Sequence, residues 1–182
     1  MTGELSDPRW HLAQPVEFGF EVMPGENSPA PQRTSVRILH NSDHIYVGFD
    51  CKDTNPSAIR AHITDRDKIF DDDFVGITLD TYGDLQRSYE FMVNPYGIQA
   101  DLMRVGDNEY PSFDTVWKTS ADIGESGWSA EMAFRSRACA SPQNGSRRGS
   151  PCSSESILGQ AGNNYRGSDT TGTIHALCVR GA

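Results

Sequence analysis

The chain has 182 residues, 36% of them hydrophobic, and a formal net charge of −9. That length suits one domain with a core of its own, or one domain and a tail. The acidic balance argues against a nucleic-acid partner, which needs a basic face to neutralise phosphates. No apolar run approaches the roughly 20 residues that cross a bilayer, and Met1 to Pro8 carry no basic-then-apolar leader pattern.

Residues 1–34 hold Trp10, an expected core anchor, and a polar, Pro-rich loop from Met23 to Pro31. Thr34 to His40 reads as a strand, Asn41–His44 as a turn, and Ile45 to Cys51 as the returning strand. Ile45, Val47, Phe49 and Cys51 share one face, so Cys51 is expected to be a small buried hydrophobe. Ser57 to Ile63 suits a short strand or a helical turn. A meander follows. Val75, Ile77 and Leu79 alternate on its first strand, and Tyr89, Phe91 and Val93 on its second. Asn94-Pro-Tyr-Gly97 has the Pro and Gly placement of a β-turn, and Gly97 to Met103 returns as a third strand. Two more strands are predicted, Thr115–Thr119 and Gly127–Phe134, the latter with Trp128, Ala130, Met132 and Phe134 in phase. Short strands, regular turns and no long helix predict an all-β fold, an antiparallel β-sandwich.

The charge changes sign along the chain. Residues 1–134 carry 10 basic and 23 acidic residues, a net of −13; residues 135–182 carry 6 and 2, a net of +4. The second stretch has eight Ser and seven Gly in 48 residues, and its one aromatic is Tyr165. It shows neither strand nor helix periodicity, so 135–182 is expected to be a disordered tail. The four cysteines, Cys51, Cys139, Cys152 and Cys178, have no metal-type CxxC spacing and do not fix a redox compartment.

Several ordered motifs together carry a family resemblance. They run Gly3-x-Leu-x-Asp-Pro-x-Trp10, Thr34-x-Val36, His44-Ile-Tyr-Val-Gly48, Asp71-Asp-Asp-Phe-Val-Gly-Ile-Thr-Leu-Asp-Thr81, Tyr89-x-Phe-x-Val-Asn-Pro-x-Gly-x-Gln-Ala-Asp101 and Gly127-Trp-x-Ala-Glu-Met132. The set resembles carbohydrate-binding module family 9, in the form found at the N-terminus of bacterial outer-membrane-associated proteins. It covers about residues 3–134. The resemblance implies a jelly-roll-like sandwich and a polysaccharide or oligosaccharide partner. It also implies a periplasmic, outer-membrane-associated or secreted parent protein, with a membrane β-barrel as a further partner. The function it implies is non-catalytic glycan binding, or accessory service to a glycoside hydrolase in carbohydrate catabolism. The alternative is an interaction domain that docks on a barrel or a protein. A weaker alternative is a hydrolase fragment.

The resemblance also shows departures. Sugar-binding members carry a Trp before the acidic strand, a Glu within it and an Arg on the next strand. Here those positions are Phe70, Gly76 and Met92. In the family, the strand matching Trp128–Phe134 runs on into a Pro-Phe-x-Ser-Leu-Arg-Phe type of segment. Residues 135–145 can be encoded by nucleotides that, read with one added base, give Pro-Phe-Glu-Ser-Leu-Arg-Phe-Pro-Ala-Glu-Arg. That predicts a nucleotide lost after the Phe134 codon, out-of-frame translation of 135–182, and a sandwich incomplete at its C-terminal edge.

Saccharide recognition needs an aromatic face and polar groups for hydroxyls. The candidates are Phe70 and Trp117 as stacking platforms, with Arg87, Asn94 and Gln99 as hydroxyl partners. Trp117 serves a core role equally well. Asp71, Asp72 and Asp73, with Asp65 and Asp67, form the densest carboxylate cluster. Hard oxygen ligands suit a structural calcium ion, although the spacing is not that of an EF-hand and a solvated acidic loop is the simpler reading. No other cofactor is expected. The five histidines have no zinc-site spacing, and no GxSxG, P-loop or dinucleotide motif is present.

Overall fold

The computed structural model describes residues 1–21, 28–81, 86–135 and 173–179. The strands are β1 (Val16–Glu21), β2 (Ser28–His40), β3 (His44–Lys52), β4 (Phe74–Asp80) and β5 (Arg87–Val93). They continue with β6 (Gln99–Val105), β7 (Asn108–Tyr110), β8 (Lys118–Gly124), β9 (Gly127–Arg135) and β10 (Thr173–Val179). One sheet, here sheet A, has the order β1-β2-β3-β9-β8; the other, sheet B, has the order β10-β4-β5-β6-β7. Every recorded pairing is antiparallel. This is the all-β sandwich that the alternating pattern predicts.

Register turns that alternation into a core. In sheet A, Ile45, Val47, Phe49 and Cys51 stand opposite Phe134, Met132, Ala130 and Trp128. In sheet B, Val75, Ile77 and Leu79 stand opposite Val93, Phe91 and Tyr89. The two sets meet between the sheets. A fully buried side chain such as Phe49 contributes about 1.5–3 kcal/mol through burial, and Cys51 packs among these residues as a buried thiol.

The outer faces are covered as well. Ile69, Phe74, Met92, Ala100 and Leu102 form a second apolar cluster on sheet B. On sheet A, the N-terminal segment lies across the strands. Its 3-10 turn, Pro8–Leu12, begins where Asp7 accepts a bond from the Arg9 backbone N–H. Trp10 then rests over Gly48. A Cβ there would lie 3.1 Å from the indole and 2.6 Å from Leu5, so only glycine leaves room for both. The Trp10 Nε1–H donates to Glu131 Oε1 at 2.7 Å, and the backbone N–H groups of Thr2 and Gly3 donate to Oε2 at 2.8 and 3.1 Å. Trp10 is thus the anchor expected of it.

Four sequence expectations need adjustment. First, β2 starts at Ser28, within the Pro-rich stretch read as loop. Pro29 pairs with Phe20 of β1 beside a register shift, where a missing N–H is tolerated; residues 22–27 lie outside the described residues. Second, Thr115–Trp117 are not strand. Side chains take their backbone groups: Asp101 accepts from the Thr115 N–H at 2.9 Å, and Gln99 donates to the Trp117 carbonyl at 3.2 Å. The strand begins at Lys118. Third, the Ser57–Ile63 segment resolves into a single 3-10 turn, Pro56–Ala58. Fourth, the predicted tail contains β10, which pairs with β4 from Thr173↔Asp80 to Val179↔Phe74. That short run of mainly apolar and β-branched residues is diluted when composition is averaged over 48 residues. Residues 136–172 and 180–182, with Cys139 and Cys152, lie outside the described residues.

Candidate functional site

At one end of the sandwich a cavity of about 150 Å³ opens between the sheets. Five aromatic rings line it. Tyr89 and Phe91 come from β5, Phe134 from β9, and Phe113 and Trp117 from the loop between β7 and β8. Trp117 stacks on Phe134 at 5.3 Å between centroids and meets Phe91 edge-on at 5.6 Å. Phe113 packs on Tyr89 at 4.9 Å. Trp117 is only 6% exposed, and its Nε1–H is buried with no hydrogen-bond partner among the described residues. An unmet buried donor costs about 1–3 kcal/mol. Leu79, Thr81, Thr115, Val116 and Arg135 complete the lining, with Val116 93% exposed.

A polar buckle sets this loop in place. Arg66 donates to Gln99 Oε1, to Asp101 Oδ1 and, at 3.0 Å, to the Thr115 carbonyl. Asp101 is fully buried at its carboxylate. Burial pushes its pKa up, and bonds from Thr115 and Arg66 only partly oppose that. The backbone on either side of Val116 is therefore held by Asp101, Arg66 and Gln99, which positions the Trp117 ring.

The predicted binding residues separate into groups. Trp117 is a cavity wall, and Gln99 holds its carbonyl. Arg87 lies two residues before Tyr89 on β5, on the same strand face. Asn94 is corrected: it is fully buried and spent on the turn. Its Oδ1 accepts from the N–H groups of Tyr96 and Ile98, and its Nδ2 donates to the His62 carbonyl and to Asp72 Oδ2 at 2.7 Å. No capacity remains for a sugar hydroxyl. Phe70 is on sheet B's outer side, 51% exposed and edge-on to Phe74 at 5.9 Å. The neighbouring positions are apolar. Met92 lies over Gly76, where a Cβ would meet its Cγ at 2.8 Å and the Phe91 carbonyl at 2.7 Å. Phe70 can stack there, without the polar partners a sugar needs.

The acidic run does not converge on a cation site. Asp72 is buried, and its carboxylate accepts from the His62 N–H, His62 Nδ1 and Asn94. Burial raises its pKa, but these bonds outweigh that and hold it below the usual carboxylate range. Asp73 is buried and accepts from the Arg60 N–H, while Asp71 faces solvent. Among the described residues no three His, Cys, Asp or Glu side chains are placed to hold a metal ion. Two of the three carboxylates of Asp71–Asp73 thus brace backbone.

Sequence reasoning missed Phe113 and the cavity role of Tyr89, Phe91 and Phe134. Their alternation marks them as inward-facing and cannot show that the space between them is unfilled.

No family model and no curated protein matches the chain. Two solved structures share its fold. One is a putative carbohydrate-binding protein from Bacteroides uniformis, with 18% identity, TM-score 0.53, and 70% of this chain and 61% of that chain covered. The other is a carbohydrate-binding module family 9 from Caldicellulosiruptor kristjanssonii in complex with cellotriose, with 13% identity, TM-score 0.54, and 74% and 62% covered. The chain therefore spans about three fifths of the length of these two structures. The likeness is one of fold: an antiparallel β-sandwich shared with these two structures.

Proposed function

We propose that the chain is a non-catalytic glycan-binding module and that the aromatic end cavity receives one ring of its ligand. Trp117 carries this reading: its ring lines the cavity, and its buried indole N–H has no hydrogen-bond partner among the described residues. A cavity of about 150 Å³ holds a six-membered ring. The aromatic walls suit the C–H faces of a pyranose, and a ring or hydroxyl oxygen would accept from the indole. Thr81, Thr115 and Arg135 offer hydroxyl and guanidinium partners at the mouth. Among the described residues the lining contains no carboxylate, whereas glycoside hydrolysis needs two across the bond. The structural neighbour bound to cellotriose makes cello-oligosaccharides the first probe.

In this reading the module belongs to a larger bacterial envelope protein in which a β-barrel follows. The resemblance of residues 3–134 supports that placement. A second reading has its own observation: the sheet B face around Phe70 is apolar, with Gly76 and Met92 where the family resemblance implies a Glu and an Arg, which favours docking of a protein surface there.

Affinity electrophoresis on several polysaccharides and calorimetry with cellotriose test the proposal. Retardation that weakens on Trp117→Phe, which keeps the ring and removes the N–H, is the expected result. A folded chain retarded by no glycan would overturn it in favour of the docking reading.

A further inference from the structure

A second concavity lies on the opposite side of the molecule from sheet B, on the outer face of sheet A. Its volume is about 310 Å³, at the lower end of the range for ligand clefts. One wall is the N-terminal segment, with Glu4, Leu5, Trp10 and His11; the other is the β8–β9 turn around Ser126. The wall is fixed, because Glu131 and Gly48 lock Trp10 and the first residues to the sheet. The Ser129 hydroxyl adds a bond to the Gly3 carbonyl at 2.6 Å.

The floor has an order set by register. Asp50, Ser129 and Asp122 stand side by side across β3, β9 and β8. Neighbouring strands are about 4.8 Å apart, close to the length of one pyranose residue. A saccharide lying across the strands would meet one polar side chain per ring. Arg37 and Lys52 line the same groove. Lys52 is paired with Asp50 at 3.0 Å, while Arg37 and Asp122 form no ion pair among the described residues.

The chemistry of this lining selects among ligands. The carboxylates of Glu4, Asp50 and Asp122 share the lining with Arg37 and Lys52, so there is no single-sign field to favour an anion or a cation. The groups are hydrated and charged, so an apolar ligand gains little. Interleaved donors and acceptors along an indole-walled groove match a neutral polyhydroxyl chain, whose hydroxyls both donate and accept.

We infer that the sheet A groove is a second saccharide-binding site, independent of the end cavity and spanning about three sugar rings. It extends the glycan-binding reading, because two sites on different faces let one chain engage two strands of a polysaccharide. Avidity then exceeds the affinity of either site.

Two tryptophans make the test site-resolved. Trp117 reports on the end cavity and Trp10 on the groove. The full chain, labelled with ¹⁵N, is titrated with cellotriose, xylotriose and mannotriose while the indole N–H resonances are followed. With at least one of these probes the Trp10 indole should shift along its own saturation curve, and Asp122→Ala should weaken that curve at least fivefold. The Trp117 curve should stay unchanged in that variant. Arg37→Ala, at a site away from the β8–β9 turn, should act in the same way. Shifts confined to Trp117 would overturn the second site and leave the end cavity intact. Shifts confined to Trp10 would support the groove and overturn the cavity. No shift at any indole with all three probes would overturn both.

Discussion

Removal of the Glu131 carboxylate should release the N-terminal segment from sheet A. Glu131 is 2% exposed and accepts three hydrogen bonds, from Thr2, Gly3 and Trp10. Thr2 is exposed, so water replaces its bond in a Glu131→Ala chain. Gly3 and Trp10 are buried, so their donors stay unmet. Two unmet buried donors at about 1–3 kcal/mol each place the loss near 4 kcal/mol. Glu131→Gln keeps one carbonyl acceptor and turns an amide donor toward other donors, so about half that loss is expected. With an m-value of about 2 kcal/mol/M, the urea midpoint should fall by roughly 2 M for the alanine variant and 1 M for the glutamine. Amide exchange at Gly3 and at the Trp10 indole should speed up in both. A loss below about 1 kcal/mol for Glu131→Ala, with unchanged exchange at Gly3, would refute the latch.

Three further outcomes follow from other parts of the fold. Gly76→Ala places a Cβ 2.7 Å from a backbone oxygen that cannot give way; a loss of about 1–3 kcal/mol is expected in a chemical melt, and a wild-type midpoint would contradict the packing of Met92 over this site. Asp72 and Asp101 should act with opposite signs in acid. Asp72 has a lowered pKa, so its contribution is present above the ordinary carboxylate value near 4 and is lost as pH falls through its folded value. Asp101 has a raised pKa, so it weakens the fold as pH rises from about 4 through its folded value. Midpoints from about pH 2 to 6 should therefore vary less in Asp72→Asn and rise relative to wild type with pH in Asp101→Asn; parallel curves would contradict both assignments. Finally, the gene should carry codons at 135–145 that permit the alternative frame, and codons that forbid it would refute out-of-frame translation.

The strands were legible because period-2 alternation survives where one face is buried. Val75, Ile77 and Leu79, or Trp128 to Phe134, declare their face in the sequence alone. Asn94–Gly97 declared its turn through Pro95 and Gly97. The site was less legible, because its parts come together only through tertiary contact. Glu131 alternates with apolar neighbours and reads as solvent-facing, yet the N-terminal segment 121 residues away buries it against Trp10. Asn94 and Asp72 carry polar side chains suited to a ligand, but those side chains bond one another and the backbone. Trp117 was readable as a platform or as core, and its setting combines both: a buried ring on a loop tied by Gln99 and Asp101, with one donor left unmet.

The most direct test of the central claim is the Trp117 indole N–H resonance during titration with cellotriose. The account predicts a saturable shift in the full chain, and binding at least fivefold weaker at this cavity in Trp117→Phe. A resonance that does not move while the folded chain is saturated with cellotriose, xylotriose or mannotriose would contradict it.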